Sequence, residues 1–304
     1  MVTRRDLLFG ALFGRLAAAF DMPAGACDCH THIFGDPRRF PMVGRTYTPA
    51  PALVPELQAL HRALHISRVV IVQPSIYGAD NSCTLDAIKQ LGARARGIAV
   101  IDDHTPDAAL AEMDRAGIRG VRINLGTTGL TDSTFARRRV QWAIDRIKRS
   151  KWHIQIYTQL SVIEAIADQV QDAPLPVVFD HFGGAQAGPG VKQSGFNVLL
   201  RLVRQGSAYV KISAPYRSST HPPDYSDVAP LATALIAANP RRILWGSDWP
   251  HPDTRQVPDR LPTAVTPGYR IDDARVLAQL AVWEPDADVR KIILVENPAR
   301  LYGW

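Results

Sequence analysis

Three imidazoles and one carboxylate, His30, His32, His181 and Asp248, are the side chains of this 304-residue chain best suited to acid–base or metal chemistry. Successive residues of an extended strand face opposite ways, so His30 and His32 are expected on one face and Cys27 and Cys29 on the other. Two imidazoles side by side can bind a metal or polarise a carbonyl; alone, they can equally be satisfied histidines at a rim. Asp248 can act as a base toward water, or simply cap a following helix. The remaining histidines carry less. His61 and His65 are spaced i, i+4 in a helical stretch but lack the glutamate of H-E-x-x-H, which predicts a solvated helix face. His153 begins a strand and should point away from its carboxyl end. His104 and His221 read as loop residues, and His251 as a neighbour of Asp248.

The composition narrows the function classes. With 46% hydrophobic residues the chain can bury an ordinary core. The net charge of +6 is scattered, and the one dense basic run, Arg137-Arg138-Arg139, shares a helical pattern with Trp142 and Ile144. That reads as a solvated helix face, and no nucleic-acid motif accompanies it. A mild positive field suits a small anionic substrate instead. Cys27, Cys29 and Cys83 are expected as free thiols, since the first two are too close in a strand to bridge. A Cys/His zinc knot at Cys27, Cys29 and His30 is disfavoured by their expected opposite faces. The apolar run 7–20 is too short to span a bilayer and contains Arg15. Residues 1–25 read as a leader: Thr3-Arg4-Arg5-Asp6-Leu7-Leu8 has a twin-arginine form, with small residues at Ala17-Ala18-Ala19. Periplasmic export with cleavage near Ala19 is the expectation; a cytoplasmic enzyme with a short amphipathic leader is the alternative.

Elements able to position the four groups follow along residues 26–304. Short β-branched runs at 27–33, 68–73, 97–101, 120–124, 153–157, 177–180, 208–212 and 243–246 alternate with helical patterns at 54–64, 85–94, 107–116, 135–149, 162–170, 197–204 and 228–238. Further helices are expected at 273–283 and 288–294. Eight βα units predict an α/β fold, a single (β/α)8 TIM barrel. A doubly wound open sheet competes, but no Gly-rich phosphate loop is present. In a barrel the active groups gather at the carboxyl ends of the strands. Those ends carry His30 and His32; Gln73 and Ser75; Asp102 and Asp103; Arg122 and Asn124; Gln155 and Tyr157; Asp180 and His181; Lys211, Ser213 and, just beyond, Arg217; and Asp248.

Several stretches together are specific: Asp28-Cys29-His30-Thr31-His32-Ile33-Phe34-Gly35, Tyr47-Thr48-Pro49, Gly78-Ala79-Asp80-Asn81, Gly120-Val121-Arg122, Val178-Phe179-Asp180-His181, Leu244 through Pro252, and Glu296 through Tyr302. With them the chain resembles the amidohydrolase superfamily, amidohydrolase family 2, in its 2-pyrone-4,6-dicarboxylate lactonase-like branch. The resemblance implies hydrolysis of a small anionic lactone in sugar-acid or aromatic catabolism by a monomer or homodimer. A lactone isomerase or a metal-dependent amidohydrolase or decarboxylase is the alternative. It implies Asp248 as general base, and His30, His32 and His181 as the group that polarises the carbonyl. Arg122 and Arg217 become carboxylate clamps, and Tyr157, Ser75, Asn124 and Trp249 further substrate contacts. It implies no required metal; one Zn or Mn held by His30, His32, His181 and Asp248 is the other possibility. Thr46 and Thr128 stand where the branch carries a Lys and a second Arg, so a lactone with fewer carboxylates or more hydroxyls is expected.

Overall fold

The computed structural model describes residues 21–255 and 257–304; residues 1–20 of the expected leader lie outside the described residues. Eight parallel strands form the sheet: β1 Cys27–Thr31, β2 Arg68–Val72, β3 Ala95–Ala99, β4 Ile118–Asn124, β5 His153–Tyr157, β6 Val177–Phe179, β7 Ala208–Ser213 and β8 Ile243–Gly246. The ring closes where the Asp248 N–H donates to the His30 carbonyl at 2.8 Å and the His32 N–H donates to the Trp249 carbonyl at 2.8 Å. This is the expected (β/α)8 barrel. Helices separate the strands, among them α1 Val54–Ala63, α2 Ser82–Leu91, α3 Asp107–Ala116 and α4 Ser133–Ile147.

The helix Phe196–Gln205 shows why such segments form. Phe196, Leu199, Leu202 and Val203 recur along one face and are all fully buried, and glycines at positive φ bound both ends. Each such side chain contributes roughly 1.5–3 kcal/mol by leaving water. The segment expected at 162–170 is two short helices, Leu160–Ala165 and Ala167–Asp172, interrupted at Ile166. No helix among the described residues is long and apolar enough to cross a membrane.

Two expectations of position are corrected. The third strand ends at Ala99 because the Asn81 side chain takes both the Val100 N–H and the Val100 carbonyl, which removes them from the sheet. Asp102 and Asp103 therefore fall in the following loop, where Asp102 binds Thr105 and the His104 N–H. The second correction concerns β1. Asp28 pairs with Val69 and Thr31 with Ile71, so two residues, Cys29 and His30, stand against the single Val70. This β-bulge breaks the alternation. Cys27 and Cys29 pack on the barrel axis with Val70, Val72, Ile98 and Tyr302, while His30 also turns inward to Asp180 and Lys211. All three cysteines are free and buried.

Candidate active site

The bulge frees Asp28 to face outward. There it accepts from the Ser247 N–H at 2.9 Å and the Ser247 hydroxyl at 2.6 Å, joining β1 to the loop that carries Asp248. His61 is fully buried, with Nε2 3.3 Å from Asp28 Oδ2. The solvated face expected for His61 is thus incorrect: α1 spends that histidine as a strut beneath the site. His65 is exposed, as expected. Gly246 must lack a side chain, because a Cβ there would stand 2.7 Å from His30 Cβ.

Three imidazoles converge on one oxygen. Asp248 Oδ1 lies 3.5 Å from His30 Nε2, 3.4 Å from His32 Nε2 and 3.9 Å from His181 Nε2. None of these contacts is a hydrogen bond, and both Asp248 Oδ1 and His30 Nε2 are buried without a partner. The other oxygen is fully engaged: Oδ2 accepts from the Tyr216 hydroxyl at 2.6 Å and from Arg217 Nε at 2.8 Å. Burial opposes the charge on Asp248, but the Arg217 guanidinium holds it well below the usual carboxylate range. Asp248 and His181 both sit at positive φ, +64° and +48°, a strain typical of functional positions.

Each imidazole is oriented from behind. His32 Nδ1 lies 2.7 Å from the Val72 carbonyl, which can only accept, so a neutral His32 turns the Nε2 lone pair toward Asp248. His30 Nδ1 meets Asp180 Oδ1 at 3.2 Å and Lys211 Nζ at 3.4 Å. His181 Nδ1 meets the Ser213 hydroxyl at 2.9 Å. Burial pushes His30 well below its ordinary value against the pull of Asp180, and pushes His181 down to about 4. A ring whose Nδ1 donates offers a lone pair at Nε2, as His32 does when neutral against the Val72 carbonyl; His30 Nδ1 instead lies between an acceptor, Asp180, and a donor, Lys211. Asp248 Oδ1 and such lone pairs together suit a hydrogen-donating water or a cation. A divalent zinc or manganese ion suits the same donor types: His30, His32 and Asp248 form one buried group whose ligand atoms lie close enough together to hold such an ion, and His30, Asp180 and His181 form another.

A second row lies beneath. Asp180 is surrounded by His30, by Lys211 Nζ at 3.5 Å and by Arg122 Nη2 at 3.6 Å, and accepts from Gln155 Nε2 at 3.0 Å. Gln155 Oε1 in turn accepts from Lys211 at 2.6 Å. Burial works against the charge on Asp180, yet His30, Lys211 and Arg122 hold its carboxyl well below the ordinary range. The strand-end positions of Asp180, Gln155 and Lys211 were visible in the sequence; their linkage was not.

The other expected site residues divide. Arg217 and Tyr157 line a cavity of about 750 Å³ with Thr127, Thr128, Tyr225 and Tyr269. Both also line an adjoining space of about 450 Å³ that reaches His181. Tyr157 sets its ring edge-on against His181, 5.1 Å between centroids, and Gly126 leaves room for it. Arg122 is buried, donates to the Gln73 carbonyl at 3.2 Å and keeps Nε without a partner. The Asn124 side chain is taken at both ends by Thr127, so it shapes the loop. Ser75 starts a short turn and meets the buried Tyr47, a residue close enough to Arg122, Arg217 and Asp248 to feel their charge. Trp249 is half-buried and uses its backbone to close the barrel. His251 pairs with Asp273 at 3.1 Å. Tyr216 is the partner of Asp248 that sequence reasoning missed; its position one residue before Arg217 was the available signal.

A family model described as amidohydrolase matches residues 27–304. The 2-pyrone-4,6-dicarboxylate hydrolase of Comamonas testosteroni is 35% identical over 293 residues, which cover 93% of this chain and 92% of that protein. The 4-sulfomuconolactone hydrolase of Rhizobium radiobacter is 34% identical over 289 residues, 94% of this chain and 92% of that protein. Among solved structures, a putative 2-pyrone-4,6-dicarboxylic acid hydrolase from Pseudomonas putida superposes with a TM-score of 0.72 at 29% identity, covering 93% of this chain and 98% of that one.

Proposed function

Because the chain belongs to the amidohydrolase family, we propose that it opens a carboxylated lactone: water attacks the ring carbonyl and the ester C–O bond breaks. One observation carries this reading, the convergence of three Nε2 atoms on Asp248 Oδ1 at 3.4–3.9 Å. A water placed there donates one hydrogen to Oδ1 and the other to an imidazole. As its oxygen bonds to the carbonyl carbon, its proton passes to Asp248. Collapse of the tetrahedral intermediate expels the ring oxygen, which receives that proton from Asp248 directly or through a neighbouring imidazole. The products are a hydroxyl and a carboxylic acid, which gives up the water's second proton through a neighbouring imidazole to solvent and leaves as the carboxylate. Arg122 and Tyr157 supply hydrogen-bond donors for the developing oxyanion. The hydrolase names of the relatives support the same reaction class.

The cations Lys211, Arg122 and Arg217 face only the carboxylates Asp180 and Asp248. That leaves a positive excess for an anionic substrate, and a divalent ion would add to it. The reading is therefore hydrolysis with no required metal. A metal bound by His30, His32, His181 and Asp248 would supply Lewis-acid polarisation of the carbonyl and a more acidic water. Metal analysis of purified protein, with rates before and after chelation, decides between them. Thr128 lines the large cavity with Thr127 and Thr220, so hydroxyl-bearing walls stand where the branch carries an Arg. This supports a substrate with fewer carboxylates than the pyrone dicarboxylate; rapid turnover of that compound would refute it. The twin-arginine-like segment supports a periplasmic site of action, tested by fractionating cells that express the full chain.

The reaction itself is tested with a panel of carboxylated lactones in oxygen-18 water. Hydrolysis places one solvent oxygen in the product; an isomerase that moves the ester between hydroxyls places none.

A further inference from the structure

We propose that Arg217 makes turnover conditional on a carboxylate in the substrate: it masks Asp248 until a substrate carboxylate draws the guanidinium away. This deepens the lactonase reading and rests on it. Asp248 and His30 are both fully buried and His32 nearly so, and none of the three lines the cavity. Arg217 lines both lobes and at the same time holds Asp248 Oδ2 through Nε at 2.8 Å. It thus touches the open space and the base at once, at the carboxylate oxygen opposite the one the imidazoles face.

Besides Asp248, the hydrogen-bond anchors of Arg217 are weak, and its guanidinium lies over the Tyr216 and Tyr157 rings, 5.4 and 5.9 Å from their centroids. Nη1 reaches the Thr254 hydroxyl at 3.3 Å and Nη2 the Pro252 carbonyl at 3.2 Å, both long bonds to neutral acceptors. Asp248 does not lose all support when Arg217 leaves, because the Tyr216 hydroxyl still donates to Oδ2 at 2.6 Å. Swinging toward the cavity exchanges one carboxylate for another, so the guanidinium is never left unpaired, and its fork suits a bidentate substrate carboxylate. The other arginine of the cavity wall, Arg255, is held at two points by Asp253 at 2.8 Å each and has no such second role. A neutral lactone offers nothing to draw Arg217 from the base. Such a substrate would dock and wait.

A matched pair tests this: a carboxylated lactone and its primary carboxamide, with and without added acetate. The carboxamide should show kcat lower by about 10²-fold or more, not merely a raised KM. Acetate should raise that kcat by about tenfold or more, while Arg217→Gln should narrow the gap between the two lactones. An equal kcat with only a raised KM overturns the proposal and leaves Arg217 a plain binding clamp. Crystals soaked in malonate give an answer that needs no turnover. The Arg217–Asp248 contact should open by more than about an ångström, beyond hydrogen-bond reach, with Arg217 on the malonate. Malonate bound at Arg217 with that contact intact overturns the proposal. If wild type turns over neither lactone, the lactonase reading fails while the crystals still decide the masking.

Discussion

The two ends of the barrel bury histidines in opposite ways. At the carboxyl ends of the strands, His30, His32 and His181 each have a polar group behind Nδ1 and an open Nε2. At the other end His153 lies against Tyr302, 5.3 Å between ring centroids, with neither ring nitrogen partnered. Burial, aided by the charge of Lys211, pushes His153 down to about 3. One set is held in place by its neighbours, with one ring nitrogen of each turned toward Asp248. The other is only enclosed. Burial by itself therefore does not mark a site; what matters is which nitrogen is left over and what it faces.

The comparison breaks if the upper end can lose its charged groups without consequence. Asp248→Asn should lower the rate by about 10²-fold or more while carboxylate ligands still bind, measured by steady-state kinetics and calorimetry. Lys211→Met tests the row beneath. It leaves Asp180 with fewer cations in a fully buried setting, and removing one partner of such a group costs about 3–5 kcal/mol, read from urea unfolding. A loss under about 1 kcal/mol would mean that Lys211 is not holding Asp180.

The lower end gives the contrasting outcome. His153 is neutral when folded and takes a proton near pH 6.5 when unfolded, so its contribution is complete above that pH. It is lost as pH falls from 6.5 toward 3, where the folded form titrates. Between pH 6.5 and 5 the loss is about 2 kcal/mol at 1.4 kcal/mol per pH unit. His153→Leu should flatten that part of the stability curve and leave kcat unchanged; a fall in kcat would place His153 in the catalytic machinery. The smallest effect concerns the thiols. Burial, with Cys29 beside it, raises Cys27 well above its ordinary value. A thiol reagent should react with Cys27 only on unfolding, and rapid labelling of the folded protein would show a looser lower end.

Much of this architecture was legible in the chain. Eight β-branched runs predicted eight strands, and fixing their carboxyl ends brought His30, His32, His181 and Asp248 to one mouth. The errors have local causes. Counting by two along β1 missed the bulge, because a bulge changes pairing with β2 and leaves no mark on hydrophobic alternation. His61 looked solvated because its partner, Asp28, lies 33 residues away and faces outward only through that bulge. The third strand looked two residues later than it is, since Val100 and Ile101 have strand-like types but the Asn81 side chain takes the backbone of Val100. The Asp180–Lys211–Gln155 linkage joins three strands and is invisible to any single window.

Asp28-x-His30-x-His32 has even spacing, and on a regular strand that parity would add a third polar side chain to the histidine face. The doubled position opposite Val70 is a phase slip: it assigns the aspartate to the joint with Ser247 and the histidines to the lumen. Shortening the strand by Cys29 alone would keep both assignments, whereas inserting one residue between Thr31 and His32 would turn His32 out of the mouth. The arrangement at the barrel mouth thus depends on how many residues separate these groups as firmly as on which residues they are.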